Sequence, residues 1–252
     1  MLADPSVIVE VCVEGIDGFL AAQEGGADRI ELCASLVEGG LTPSIGVVRA
    51  ALQLARAPFN VIVRPRGGDF LYTAAEYDSM LEDVAALRTL GVAGVVIGCL
   101  LPDGRIDEAR MARLIAAARP LSVTCHRAFD MTRDGAEAVE ALARLGVNRI
   151  LTSGQCDRAI DGLATLARTV RQARGRMKIM ACGGLDADNI RDVLRETQVD
   201  ELHFAAPRTK ASSMTFRNPG VAMGGAPLER EYQIATTDVG AVRRTIAAVR
   251  AG

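Results

Sequence analysis

The chain has 252 residues, 49% of them hydrophobic and 24% charged, with a formal net charge of −2. That composition supports a sizeable core and excludes a disordered chain. The near-neutral charge and scarce aromatics argue against a nucleic-acid partner, and no apolar stretch reaches the roughly 20 residues of a membrane span.

Met1-Leu2-Ala3-Asp4-Pro5 runs almost directly into Val7-Ile8-Val9, without the layout of a signal peptide. A cytoplasmic protein is expected, with Cys12, Cys33, Cys99, Cys125, Cys156 and Cys182 as reduced thiols. None of them forms a C-x-x-C pair, which excludes a zinc ribbon.

One unit then repeats: a short aliphatic strand, a polar or glycine-rich turn, and a helix of 3.6-residue apolar period. Strands are expected over 7–12, 29–33, 60–64, 94–98, 121–126, 148–153, 178–182 and 201–204. Helices are expected over about 15–25, 45–56, 74–90, 107–118, 134–145, 157–174, 187–196 and 238–250. Pro43-Ser44 and the capping box Thr73-Ala74-Ala75-Glu76 mark helix starts, and Gly25, Gly91 and Gly146 mark helix ends.

Eight such units in about 250 residues predict an α/β fold, a single-domain (β/α)8 or TIM barrel. An open doubly wound sheet is the alternative. It would carry G-x-G-x-x-G after the first strand, where this chain has Val13-Glu14-Gly15. The stretch at about 205–235, rich in Pro, Gly, Ser and Met, is expected to be a long irregular final loop.

Alternation along each strand gives the expected barrel interior. Glu10 and Cys12 face inward from the first strand, and Arg29, Glu31 and Cys33 from the second. Asn60, Ile62 and Arg64 follow from the third, Ser122, Thr124 and His126 from the fifth, and Glu201 and His203 from the eighth. An ordinary barrel fills these positions with Val, Ile and Leu. Inward charges of both signs must pair or bind something. A salt-bridge network that only fixes register is one reading; a pocket at the C-terminal ends of the strands is the other.

The turns suit an anion. Arg64-Pro65-Arg66-Gly67-Gly68-Asp69 offers two guanidinium forks, and Arg127 follows His126. Ser153-Gly154 and Gly183-Gly184 leave backbone N–H groups at late βα turns, or are simply tight turns. His126 and Asp130 are candidates for acid–base work, with Glu10 or Glu31 as a base. Schiff-base chemistry lacks a lysine at the top of a strand, and a histidine-rich zinc hydrolase lacks the histidines.

Glu10-Val11-Cys12, Arg29-Ile30-Glu31-Leu32-Cys33, Glu38-Gly39-Gly40-Leu41-Thr42-Pro43-Ser44, Arg64-Pro65-Arg66-Gly67-Gly68-Asp69-Phe70, His126-Arg127-Ala128-Phe129-Asp130, Leu151-Thr152-Ser153-Gly154 and Cys182-Gly183-Gly184 stand in that order. They resemble the signature blocks of the CutC family, over about residues 7 to 204. The resemblance implies a cytoplasmic TIM barrel of copper homeostasis, with Cys12 and Cys33 as candidate Cu(I) ligands. After the eighth strand the chain departs from the family pattern: His203-Phe204-Ala205-Ala206-Pro207 replaces a small, Ser-containing stretch.

Two functions are expected from this. Two thiolates on neighbouring strands suit Cu(I), a soft ion, with Arg29 and Arg64 neutralising the carboxylates beside them. The other four thiols are expected to point elsewhere. The alternative is an enzyme of unassigned reaction on a small anionic or phosphorylated substrate, anchored by Arg64 and Arg66. The partner is thus a copper ion or a small anion, and the oligomeric state stays open, a homo-oligomer included.

Overall fold

The computed structural model describes residues 7–223 and 227–251. Residues 1–6, read above for a signal layout, and 224–226 of the expected final loop lie outside them. Eight strands alternate with eight helices: β1 (Ile8–Glu14), α1 (Gly15–Gly25), β2 (Arg29–Cys33), α2 (Ile45–Leu54), β3 (Phe59–Ile62), α3 (Ala74–Leu90), β4 (Gly94–Ile97), α4 (Glu108–Ala118), β5 (Ser122–Cys125), α5 (Gly135–Leu145), β6 (Arg149–Thr152), α6 (Leu163–Ala173), β7 (Lys178–Ala181), α7 (Ile190–Thr197), β8 (Glu201–Ala205) and, near the end, α8 (Val239–Arg250). β1 to β8 pair in parallel and in order, and β8 closes on β1, so the fold is a single-domain (β/α)8 barrel.

Local chemistry sets the boundaries. Thr73 Oγ1 accepts from the Glu76 N–H at 3.2 Å while Glu76 Oε2 accepts from the Thr73 N–H at 2.7 Å, completing the capping box of α3. Ser44 caps α2 through the Val47 N–H. Gly91 and Gly146 close α3 and α5 in the left-handed conformation. The first helix spans the expected residues, but its left-handed cap is Gly26, one residue later than the expected Gly25. Gly25 is the last helical residue and makes room for Val242 of α8: a Cβ there would lie 2.3 Å from its Cγ1.

The expected loop at 205–235 is more regular than its composition suggests. Pro207–Ala211 (β9) and Gln233–Thr237 (β10) pair as an antiparallel ribbon over the barrel mouth. The exposed, polar sequences Pro-Arg-Thr-Lys-Ala and Gln-Ile-Ala-Thr-Thr bury no apolar face, so alternation gives little signal.

The main core lies between barrel and helices, where Val9, Val11, Ile30, Leu32, Val61 and Val95 are buried. The opposite strand faces give a polar interior: Glu10, Arg29, Glu31, Asn60, Thr124, Glu201 and His203 are all buried. Register sets their neighbours. Glu10 stands opposite Arg29 on one side and His203 on the other, and Cys12 stands opposite Glu31.

Candidate functional site

The interior charges pair from the barrel floor upward. The Arg29 guanidinium donates from Nε to Glu10 and from Nη2 to Glu201 and to the Met180 sulfur. Arg149 donates from Nε to Glu201 at 3.0 Å and from Nη1 to Ser122 Oγ at 2.8 Å. Two guanidiniums thus face two carboxylates, the balance a buried charge network requires.

Above this floor lies a tighter cluster. Glu10 accepts from Asn60 Nδ2 at 3.1 Å, and its other oxygen lies 2.8 Å from His203 Nδ1. His203 Nε2 is 3.8 Å from Glu31 Oε2. The Cys12 and Cys33 sulfurs are 3.6 Å apart, and Cys33 Sγ is 3.6 Å from Glu31 Oε2. Donor atoms of Cys12, Glu31 and Cys33 all lie within 4.8 Å of one another. Glu31 Oε1 is buried with no hydrogen-bond partner.

The electrostatics follow from this packing. Burial opposes the charge of Glu10, but the His203 hydrogen bond and the Arg29 cation outweigh it and hold the carboxyl at about 2. The Cys33 hydrogen bond lowers the Cys12 thiol to about 5 despite burial, with His203 adding to the effect. Burial and the Cys12 negative charge push Cys33 and Glu31 well up. His203 is raised well above the ordinary histidine range: burial opposes its cation, but Cys12, Glu10 and Glu31 outweigh that cost. The neutralising cations are therefore Arg29 and His203. Arg64 turns away to the Glu38, Gly40 and Gly68 carbonyls.

A cavity of about 1370 Å³ opens over this cluster at the C-terminal ends of the strands. Its lining includes Cys12, Glu31, Arg64, His126, Gly183 and His203. Cys182 lines it beside Gly183 and Cys33 does not, which corrects the expectation that Cys12 and Cys33 are the thiols facing the pocket. Met180, on the same parity of β7, points inward to Arg29, and the alternation carries on to Cys182.

The remaining candidate residues split into two groups. Arg66 is committed to its own turn, donating to Glu76 Oε1 at 2.7 Å and to the Asp69 and Leu71 carbonyls. Asp130 accepts from Arg127, Thr152 Oγ1, Ser153 and the Gln155 N–H, so it knots the loops after β5 and β6 together. Ser153 also accepts from Arg127 at 2.8 Å. Gly154 packs on Gly162, where a Cβ would lie 2.5 Å from the carbonyl oxygen. Gly183 and Gly184 adopt φ of +95° and +65°, which a side chain would strain. His126 Nδ1 accepts from the Ala128 N–H at 3.1 Å, and its ring lies 4.8 Å from Phe70. Burial, with Arg64 nearby, lowers His126 to about 3, so it is neutral at pH 7.

Sequence parity placed His203, Arg29 and Glu201 inside the barrel without assigning them to a site. The signal that could have found His203 is its register opposite Glu10 across the β8–β1 closure.

One reactivity follows. Iodoacetamide at pH 6 is expected to label Cys12 ahead of Cys99, Cys125 and Cys182, whose thiols burial pushes up. Labelling of Cys12 should fall only as pH drops below about 5. Peptide mapping by mass spectrometry reads the rates. A Cys12 rate falling about tenfold per pH unit from 8 to 6 would mean an ordinary thiol.

Comparison with known proteins bears on this site. The profile of the CutC family matches residues 7–208. The family protein CutC of Mesorhizobium japonicum is 64% identical over 244 residues, covering 97% of this chain and 95% of the relative. The copper homeostasis protein cutC homolog of Homo sapiens is 44% identical over 236 residues, covering 94% of this chain and 86% of the relative. The CutC crystal structure from Streptococcus agalactiae superposes with a TM-score of 0.75 at 31% identity, covering 79% of this chain and 98% of that one. No helix among the described residues is long and apolar enough to cross a membrane.

Proposed function

The chain belongs to the CutC family, and on that premise we propose that it serves copper homeostasis in the cytoplasm by holding Cu(I) between Cys12 and Cys33. The observation that carries this reading is the pair of sulfurs 3.6 Å apart beneath an open cavity. Thiolates are the softest donors in the barrel and Cu(I) is a soft ion. A linear dithiolate spans about 4.6 Å, twice a metal–sulfur bond of about 2.3 Å, so the two sulfurs part by about 1 Å to admit the ion.

Cu(I) then displaces a proton from Cys33 but not from Cys12, which is ionised above about pH 5. An anaerobic titration of the reduced protein should reach one Cu(I) per chain. Its apparent affinity should rise about tenfold per pH unit between pH 6 and 8, one proton per ion. No binding overturns the reading, and a slope of two protons returns Cys12 to an ordinary thiol.

One observation favours a second reading. The cavity, at about 1370 Å³, has room for far more than an ion. It suits a small anionic or phosphorylated substrate, with Glu31 as base and neutral His126 as hydrogen-bond donor; Glu10, also expected as a base, does not line the cavity and is tied to Arg29, Asn60 and His203. Asp130 would then support the site through Arg127 and Ser153. The anion would meet the Gly183-Gly184 backbone and the charge of Arg64, whose Nη groups hold loop carbonyls while its Nε has no partner, because Arg66 and Arg127 are already paired with carboxylates. Phosphate or a phosphorylated metabolite protecting the metal-free protein against heat would favour this reading; no shift at millimolar ligand would count against it.

A further inference from the structure

We propose that Cys12, Cys33, Glu31 and His203 form a four-donor site for a borderline divalent cation of the zinc type. The inference shares two sulfurs with the copper reading and holds whether or not Cu(I) binds.

Distances carry it first. Zinc bonds of about 2.0–2.3 Å set tetrahedral ligand–ligand edges of about 3.3–3.8 Å. Cys12 Sγ to Cys33 Sγ is 3.6 Å, Cys33 Sγ to Glu31 Oε2 is 3.6 Å, and Glu31 Oε2 to His203 Nε2 is 3.8 Å. These three spacings match tetrahedral edges, and the sulfur pair is too close for a linear ion without movement. The donor atoms of Cys12, Glu31 and Cys33 all lie within 4.8 Å of one another, while His203 stands outside that group and would close on it to complete the set. Register supplies the same grouping: Cys12 lies opposite Glu31 on β2, and His203 comes from β8 on the other side of β1.

Two further features point to a ligand. Glu31 Oε1 is buried and unpartnered, which costs free energy unless something occupies it. His203 is oriented as a metal-bound histidine is: Nδ1 is held by Glu10 Oε1 at 2.8 Å, leaving Nε2 directed toward Glu31. Glu10 is fixed in turn by Arg29 and Asn60. A set of two sulfurs, one nitrogen and one carboxylate oxygen suits Zn²⁺, whereas Cu(I) gains little from the carboxylate. Cys12, Glu31 and His203 line the cavity, which is the entry path. With the sulfurs shared, Zn²⁺ and Cu(I) exclude each other.

Cobalt substitution tests the proposal on the full, reduced, metal-free chain. One Co²⁺ per chain is expected, with the intense visible bands of tetrahedral cobalt and a near-ultraviolet thiolate charge-transfer band. One equivalent of Zn²⁺ should remove both. His203→Ala and the near-isosteric Glu31→Gln should each weaken Zn²⁺ binding by about 10–100-fold or more. Thermal melts by circular dichroism establish that each variant is folded. A weak octahedral spectrum without the charge-transfer band, or parent-like zinc affinity in a folded variant, overturns the proposal. Cu(I) titrated into the same parent protein separates the two readings: zinc without copper defeats the copper reading alone, and copper without zinc defeats this one alone.

Discussion

Replacing Arg29 by methionine is expected to destabilise the protein by about 3–5 kcal/mol, the range for breaking a buried ion pair from one side. Arg29 bridges Glu10 and Glu201, and all three are buried. Methionine matches much of the volume but returns no charge. Glu201 keeps Arg149, and Glu10 keeps His203 and Asn60, so the loss falls on the bridge between the two carboxylates.

Acid should expose the same network. Glu10 titrates near 2 in the folded state against an ordinary 4.5, so its stabilisation is present above pH 4.5 and is lost as pH falls toward 2. In the variant that acid limb should begin at higher pH. Urea unfolding at pH 7 and across the acid range measures both effects. Glu108→Ala is the control, because its pair with Arg144 is exposed and worth about 1 kcal/mol or less. An Arg29→Met cost no greater than the control would make the interior network dispensable.

The fold was legible because its signals are local and repeated. The alternation of Glu10-Val11-Cys12 and of Arg29-Ile30-Glu31-Leu32-Cys33 is enough to turn the polar groups one way and the aliphatics the other. The Thr73 capping box and the glycine helix ends needed only short-range chemistry. Less legible was anything decided by where one residue meets a distant one. Arg64 and Arg66 read as free forks until the loop carbonyls and Glu76 that occupy them were in place. Asp130 read as an acid–base group, but the folded loops gather four donor residues around it.

His203 shows the same limit from the other side. It is 193 residues from Glu10 in sequence, and only barrel closure brings the two within 2.8 Å. With it comes the cation that compensates the Cys12 thiolate, a role that proximity in sequence would give to Arg29 or Arg64. The ribbon of β9 and β10 was illegible for a different reason: its strands are exposed up to the end of β10 and bury no apolar face, so backbone pairing defines them.

Changing Cys12 and Cys33 together to serine is expected to abolish Cu(I) binding while the barrel stays folded. Serine is close to cysteine in size, and the cavity offers its hydroxyls polar neighbours in Glu31 and His203. A hydroxyl is a hard donor with little affinity for Cu(I), so the loss should be complete rather than graded. Cys182 lines the same cavity but lies outside the group of donor atoms within 4.8 Å. Removing it with Cys99, Cys125 and Cys156 should therefore leave the stoichiometry unaltered.

The direct measurement is anaerobic competition against a chromophoric Cu(I) chelator, run on the parent, the double-serine variant and the four-cysteine variant. The account predicts that the parent and the four-cysteine variant each withdraw one Cu(I) per chain and that the double-serine variant withdraws none. A double-serine variant that competes as well as the parent would contradict it, and the cavity would then be better read as the site of a small anionic substrate.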